Sequence, residues 1–228
     1  MNAKQLTPNL TQLTKWGLMN AYLVREDDGL TLVDTTMSAA DALIAAAEKA
    51  GAPIRRIALT HGHSDHVGSV DALRAKLGAD VPVLMPEPDA RILAGESVDF
   101  GAGKKRGGWP KLKTNPDVLL QPGDRVGSLE VIAAPGHTPG HVAFRDTRDG
   151  SLIAGDALSA IGGLAVPNHV HLRFPLVYGG TCDRPRTLAT AIELRALDPT
   201  LLVLGHGPAA VSPAAAMDAA IARAQKAT

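Results

Sequence analysis

The segment Thr60-His61-Gly62-His63-Ser64-Asp65-His66-Val67-Gly68 constrains this chain more than any other stretch. It follows the apolar run 54–60 and packs three histidines and a carboxylate into the six positions 61–66. Residues two apart do not share a helix face, so His61 and His63 converge only from an extended segment or a loop. Asp65 and His66 then fall where the chain turns into a new helix near Val67. Imidazole is the commonest metal ligand and a carboxylate suits hard or borderline cations, so the cluster points to metal binding. Taken singly, each residue has a plainer account, a hydrogen-bonded loop histidine or Asp65 as the N-cap of that helix. Taken together, four such groups are costly to converge without a shared purpose. They also exceed what one tetrahedral ion takes from a single loop, so two adjacent ions completed from elsewhere in the chain are expected.

The same local arrangement recurs downstream. His137, in Pro135-Gly136-His137-Thr138-Pro139-Gly140-His141, comes just after an apolar run ending at Ala134. Asp156 follows Leu152-Ile153-Ala154-Gly155, and His206 follows Leu201-Leu202-Val203-Leu204-Gly205. Each run is short enough to be a buried strand, and ligands gather at such strand ends in sheets flanked by helices.

The surrounding chain supplies those layers. Segments 18–25 and 30–34 flank the polar turn Glu26-Asp27-Asp28-Gly29 and read as a β-hairpin. Ser38 is the expected N-cap of a helix over 39–50, which Gly51 and Pro53 stop. Further helices are expected over 67–77, 88–94, 184–197 and 213–226, and strands over 81–85, 118–120, 129–134, 141–145, 152–154 and 201–204. This alternation predicts layered α/β architecture in one domain spanning residues 1–228. Residues 95–115 are glycine-rich and basic around Trp109-Pro110. Such a connection is a mobile lid or a tolerated surface insertion, and its place between the two sets of candidate ligands favours the lid.

Composition excludes several partners. Lys and Arg number 23, as do Asp and Glu, so no overall field draws nucleic acid or an anionic membrane. Residues 1–10 contain Lys4 and Pro8 but no apolar core segment, so neither signal peptide nor membrane span is expected and the cytoplasm is the default location. Cys182, the one cysteine, reads as a buried inert thiol, since a nucleophile needs a lowered pKa. His141 reads as structural, hydrogen-bonded to backbone. His169 and His171 form a second His-x-His without an accompanying carboxylate, which suits a pocket wall or a polar surface strand. With them, Arg173 and Tyr178 are the candidate substrate contacts.

In order and in full, His-x-His-x-Asp-His at 61–66 followed by His137, Asp156 and His206 resembles the signature of the metallo-β-lactamase fold superfamily. The resemblance runs from Asn20-Ala21-Tyr22-Leu23 to Gly205-His206-Gly207. It implies a four-layered αββα sandwich with a dinuclear site on one edge. It further implies that His61, His63 and His137 hold one ion, that Asp65, His66 and His206 hold the other, and that Asp156 bridges them. Asp34 matches a position that supports the site from outside the ligand set, as a carboxylate does when it orients a ligating imidazole. The implied ions are two divalent cations, zinc first and iron or manganese as alternatives.

Such a pair, roughly 3.5–4 Å apart, shares a hydroxide and polarises a carbonyl oxygen, so the implied reaction is hydrolysis, with Asp65 as a catalytic group able to relay a proton. The implied substrate is a small-molecule lactone, ester or thioester. The extended C-terminal region by which glyoxalase II holds glutathione does not follow His206, and Ala157-Leu158-Ser159 stands where acyl-homoserine lactonases carry a tyrosine. Neither narrower label transfers. β-Lactamase and phosphodiesterase activities rank below, because neither β-lactamase subclass combines this histidine motif with the Asp156 carboxylate and the chain has no strongly basic arm. The alternative from another class is a mononuclear iron enzyme resembling persulfide dioxygenases, whose ligand motifs overlap. Oligomeric state is not legible in the sequence.

Overall fold

Valine- and leucine-rich runs form two sheets in the computed structural model, which describes residues 1–227. The first sheet follows chain order: β1 (Asn2–Gln5), β2 (Leu10–Lys15), β3 (Met19–Glu26), β4 (Gly29–Val33), β5 (Ile54–Ala58), β6 (Val83–Pro86) and β7 (Val118–Leu120). β1 to β4 pair antiparallel, whereas β5, β6 and β7 add in parallel. The first parallel step crosses through α1 (Ala40–Lys49), the next through α2 (Ser64–Val67) and α3 (Val70–Leu77), and the last through α4 (Glu87–Leu93).

The second sheet is formed by β8 (Arg125–Val126), β9 (Leu129–Ala133), β10 (Val142–Asp146) and β11 (Leu152–Ile153), then, after α5 (Leu176–Gly180) and α6 (Arg184–Ala196), by β12 (Leu201–Val203) and β13 (Ala210–Val211). α7 (Ala214–Lys226) closes the chain. β8 to β11 are antiparallel neighbours, and β11 pairs in parallel with β12. β9, β11 and β12 therefore run in the same direction.

Period-2 alternation assigns each strand residue to a layer. On β3, Ala21 and Leu23 face α1 and α3, packing with Leu43 and Leu73, while Tyr22 and Val24 face the other sheet. On β12, Leu202 packs with Leu194 and Met217 of α6 and α7, while Leu201 and Val203 join the interface between sheets. That interface also buries Val33, Ala58, Val131 and Phe144. The result is helices, sheet, sheet, helices: the αββα order expected from the resemblance. Because both faces of the central strands are covered, their sequences read as continuous apolar runs.

Two local expectations are corrected. The helix expected over 67–77 is interrupted at Gly68 and Ser69, because Ser69 is engaged by the preceding loop. Its N–H donates to Thr35 Oγ1, and its Oγ donates to the Thr36 carbonyl while accepting from the Ala39 N–H. That last bond displaces Ser38 as N-cap of α1. Ser38 instead adopts φ 49°, and the N-cap is Ala39 without a side-chain cap. β1, β2, β8, β13 and α5 lie outside the elements read from the sequence, the strands being short, edge-placed or polar.

Candidate metal centre

Five strand ends deliver the site. Asp34 ends β4 with φ 59°, a left-handed conformation that a non-glycine residue holds only where its surroundings fix it. His61 and His63 follow β5, and the His63 carbonyl accepts the N–H groups of His66 and Val67, folding α2 back over the strand end. His137, Asp156 and His206 follow β9, β11 and β12. The approach of the last loop is so close that a side chain at Gly205 would overlap Asp156 Oδ1 and the His66 ring. Asn20 of β3 holds that loop, donating to the carbonyls of Leu204 and Gly207.

These residues form two groups whose ligand atoms lie within 4.8 Å of one another: His61, His63 and His137, and Asp65, His66, Asp156 and His206. Every imidazole has one nitrogen tied to an acceptor outside its group, which assigns a proton there and leaves the other nitrogen facing inward. His61 Nδ1 donates to Thr60 Oγ1 (3.0 Å), and that hydroxyl donates to Asp34. His66 Nδ1 donates to Asp34 Oδ2 (2.7 Å), and His206 Nδ1 to the Leu18 carbonyl (2.8 Å). His137 Nδ1 donates to Thr181 Oγ1 (3.0 Å), which passes its own hydrogen to the Val177 carbonyl. His63 is reversed: Nε2 donates to the Arg106 carbonyl (3.1 Å), leaving Nδ1 to face His137 Nε2 at 2.9 Å.

With both outer nitrogens protonated, that 2.9 Å contact sets two lone pairs against each other, an arrangement that a shared cation resolves. His61 Nε2, His66 Nε2 and Asp156 Oδ1 are likewise buried without a partner. Unpaired buried polar atoms are costly, and all three aim into the cluster. Asp156 stands between the groups, with Oδ1 3.4 Å from His66 Nε2 and Oδ2 3.5 Å from His137 Nε2 and 3.3 Å from His206 Nε2. The donor set fits divalent metal ions.

The electrostatics separate the groups. Burial, reinforced by the neighbouring imidazoles, holds His61 well below its ordinary pKa, and burial lowers His63 and His137 as well. Burial works the same way on His66 and His206, but the carboxylates win: Asp34, Asp156 and Asp65 raise His66 well above the usual imidazole range, and Asp156 and Asp65 raise His206 to about 10. Burial raises Asp65, and His66 and His206 outweigh it to hold the carboxyl at about 2.

Asp65, Asp156 and His206 of the second group, with His63 and His137, open into a cavity of about 560 Å³ whose apolar wall includes Trp16, Met37, Phe174 and Leu176. None of the lining residues is Lys or Arg. The chain around 171–180 reaches this wall, but through Phe174 and its successors. Tyr178 packs its ring against the Arg184 guanidinium at 3.9 Å, Arg173 lies over Gly162 and donates to its carbonyl, and His171 is not on the cavity surface. His171, Arg173 and Tyr178, the expected substrate contacts, are not among the residues lining this cavity, whose wall in this stretch includes Phe174, Leu176 and Val177. Cys182 is buried, and burial raises its thiol to about 11, so it is no nucleophile. His141 sits behind the site and accepts the Asp156 backbone N–H at 3.0 Å.

Residues 95–115 lie against the site. Trp109 packs edge-on to His63 with ring centroids 4.9 Å apart, its Nε1 donates to the Arg106 carbonyl, and the Gly108 carbonyl accepts the Ser64 N–H. Sequence reasoning missed the supports at Thr181, Arg106 and Leu18. The last two act through backbone carbonyls, which leave no residue-type signal, whereas Thr60 was adjacent to the motif and open to recognition.

Comparison with known proteins agrees with this geometry. The sequence model of the Metallo-beta-lactamase superfamily matches residues 14–206. The uncharacterized protein YobT of Bacillus subtilis (strain 168) is 38% identical over 213 residues, 91% of each chain. A hydroxyacylglutathione hydrolase of Cereibacter sphaeroides is 38% identical over 124 residues, 53% of this chain and 40% of that protein. The crystal structure of TTHA1623 in a di-iron-bound form superposes with TM-score 0.67 at 29% identity, covering 95% of this chain and 97% of that one. Among the described residues no helix is long and apolar enough to cross a membrane.

Proposed function

We propose that this chain, which belongs to the metallo-beta-lactamase superfamily, is a hydrolase that holds two divalent metal ions and cleaves a small neutral lactone, ester or thioester. The observation that carries the reading is the convergence of two groups of buried donors, within which His63 Nδ1 approaches His137 Nε2 to 2.9 Å while the Arg106 carbonyl and Thr181 Oγ1 take the outer ring protons, an arrangement suited to a shared cation. On this reading His61, His63 and His137 would hold one ion and Asp65, His66 and His206 the other, with Asp156, which stands between the two groups, available to both. When bound, such ions lower the pKa of water to about 7 and act as Lewis acids toward a carbonyl oxygen.

The chain's own residues supply the rest. Asp65 lines the cavity with its carboxyl ionised, placed to take up a proton at its free oxygen. Trp16, Met37, Phe174 and Leu176 receive an apolar acyl or ring portion and exclude water. The absence of Lys and Arg from the lining favours a neutral carboxylic ester over a phosphodiester. The hydroxyacylglutathione hydrolase relative supports a thioester among the candidates, although this chain spans 40% of its length.

Zinc is the first choice of metal, and the di-iron form of TTHA1623 keeps iron as the second. Seven convergent donors in two groups favour two ions over the single iron of a persulfide dioxygenase. Metal analysis of natively purified protein, with turnover of a lactone, ester and thioester panel, tests the reading. Two ions and hydrolysis of a panel member are expected. One iron with persulfide-dependent oxygen consumption overturns it.

A further inference from the structure

Asp89 is a carboxylate with no exposed surface, placed in the first turn of α4 and outside both donor groups. A buried carboxylate without a cationic partner is retained only where donors converge on it. Three do. Asp89 Oδ2 accepts the Gly62 N–H at 2.8 Å and the Thr138 hydroxyl at 2.6 Å, and Oδ1 accepts the Gly140 N–H at 2.8 Å. Gly62 stands between His61 and His63, and Thr138 adjoins His137. Gly140 must be glycine for this approach, since a Cβ there would lie 2.7 Å from Asp89 Oδ1 and 2.8 Å from its backbone nitrogen.

The two loops so joined leave strands of different sheets, β5 and β9. A backbone bond from the Val142 N–H to the Thr60 carbonyl (2.9 Å) already crosses between the sheets at the strand ends, and Asp89 adds three bonds at residues that flank the imidazoles. We propose that Asp89 is a positioning residue that clasps these two loops together and so sets the distance between the imidazoles of the three-histidine group. The proposal rests on the reading that His61, His63 and His137 hold an ion. It is specific to that group, because the second group takes its supports from Asp34, the Leu18 carbonyl and His141.

The test is zinc titration of the full chain against a chromophoric chelator, which reads the two affinities separately and needs no substrate. Asp89→Asn keeps the shape but turns an NH2 group toward a backbone N–H. Supporting residues of this kind alter metal affinity about 10- to 100-fold, so one zinc affinity should fall by about that factor while the other holds. Thr138→Val, which deletes one of the three bonds, should shift the same ion in the same direction by less, and Thr138→Ser should restore it. A purely structural residue would lower the melting temperature and leave the separation of the two affinities unchanged.

Unchanged affinities in Asp89→Asn, or equal losses at both ions, overturn the proposal and leave the hydrolase reading standing. A wild-type chain that takes up no zinc or iron overturns that reading, and the proposal with it. If Asp89→Asn does not fold, Thr138→Val decides, and an unshifted affinity there overturns the proposal.

Discussion

The backbone N–H of Asp156 donates to Nε2 of His141 across 3.0 Å, so the side chain just past the shared histidine motif holds the residue that stands between the two donor groups. Nε2 must be unprotonated to accept, and burial ensures this by pushing His141 down to about 3. His141→Ala leaves the Asp156 N–H buried and unpaired, which costs about 1–3 kcal/mol before any cavity term. His141→Gln, whose amide oxygen can accept, should recover part of it. Denaturant unfolding of the metal-free variants measures the difference, and equal midpoints for Ala and wild type would remove His141 from this role.

Asp156 and His63 should differ in metal stoichiometry. His63 meets His61 and His137 of its own group, whereas the oxygens of Asp156 approach His66 and His206 as well as His137. His63→Ala is expected to keep one ion per chain and Asp156→Ala to retain fewer, with hydrolysis falling at least 100-fold in each. Elemental analysis after dialysis reads the count. Two ions in Asp156→Ala would exclude it as a shared ligand.

The candidate donors were legible because each is a His or Asp set at the end of an apolar run, a pattern that needs no tertiary information. The layers were legible for a related reason: continuous apolar strands such as 201–204 are buried on both faces. Less legible were features fixed by distant partners. The break at Ser69 comes from loop 35–39, thirty positions upstream, and no local propensity encodes it. His63 turns its Nδ1 inward because of the Arg106 carbonyl, which any residue could supply. The polarity of His171, Arg173 and Tyr178 is no guide to the cavity wall, which is apolar in this stretch, with Tyr178 engaged by Arg184 and Arg173 by the Gly162 carbonyl.

Trp109 should report metal binding. Its ring lies 4.9 Å from His63, while Trp16 is 69% exposed on the cavity rim. Cobalt(II) titration should therefore quench tryptophan fluorescence in wild type and in Trp16→Phe, and much less in Trp109→Phe. The last variant also frees the Arg106 carbonyl from the indole N–H, so its metal affinity should drop by a few-fold. Undiminished quenching in Trp109→Phe would place the ion away from His63.

Protons and metal compete for this site with a sign that the geometry fixes. In the metal-free protein, four rings are held neutral by burial, His61, His63, His137 and His141, whereas carboxylates keep His66 and His206 protonated despite burial. Unfolded imidazoles titrate near about 6.5. Below that pH the unfolded chain binds protons that the four folded rings refuse, so stability falls as pH falls. Above it, the folded chain still holds two protons that the unfolded chain has lost, so stability also declines, until His206 titrates at about 10. The metal-free optimum is expected near about pH 6.5. Bound metal must displace both raised protons, so its affinity strengthens with pH. At a thousandfold excess over Kd, metal adds about 4 kcal/mol, or roughly 8–16 °C in melting temperature for a chain of this size. Thermal melts with and without zinc check this, and a zinc-induced gain that shrinks from about pH 6 to about pH 9 would contradict the protonated His66 and His206.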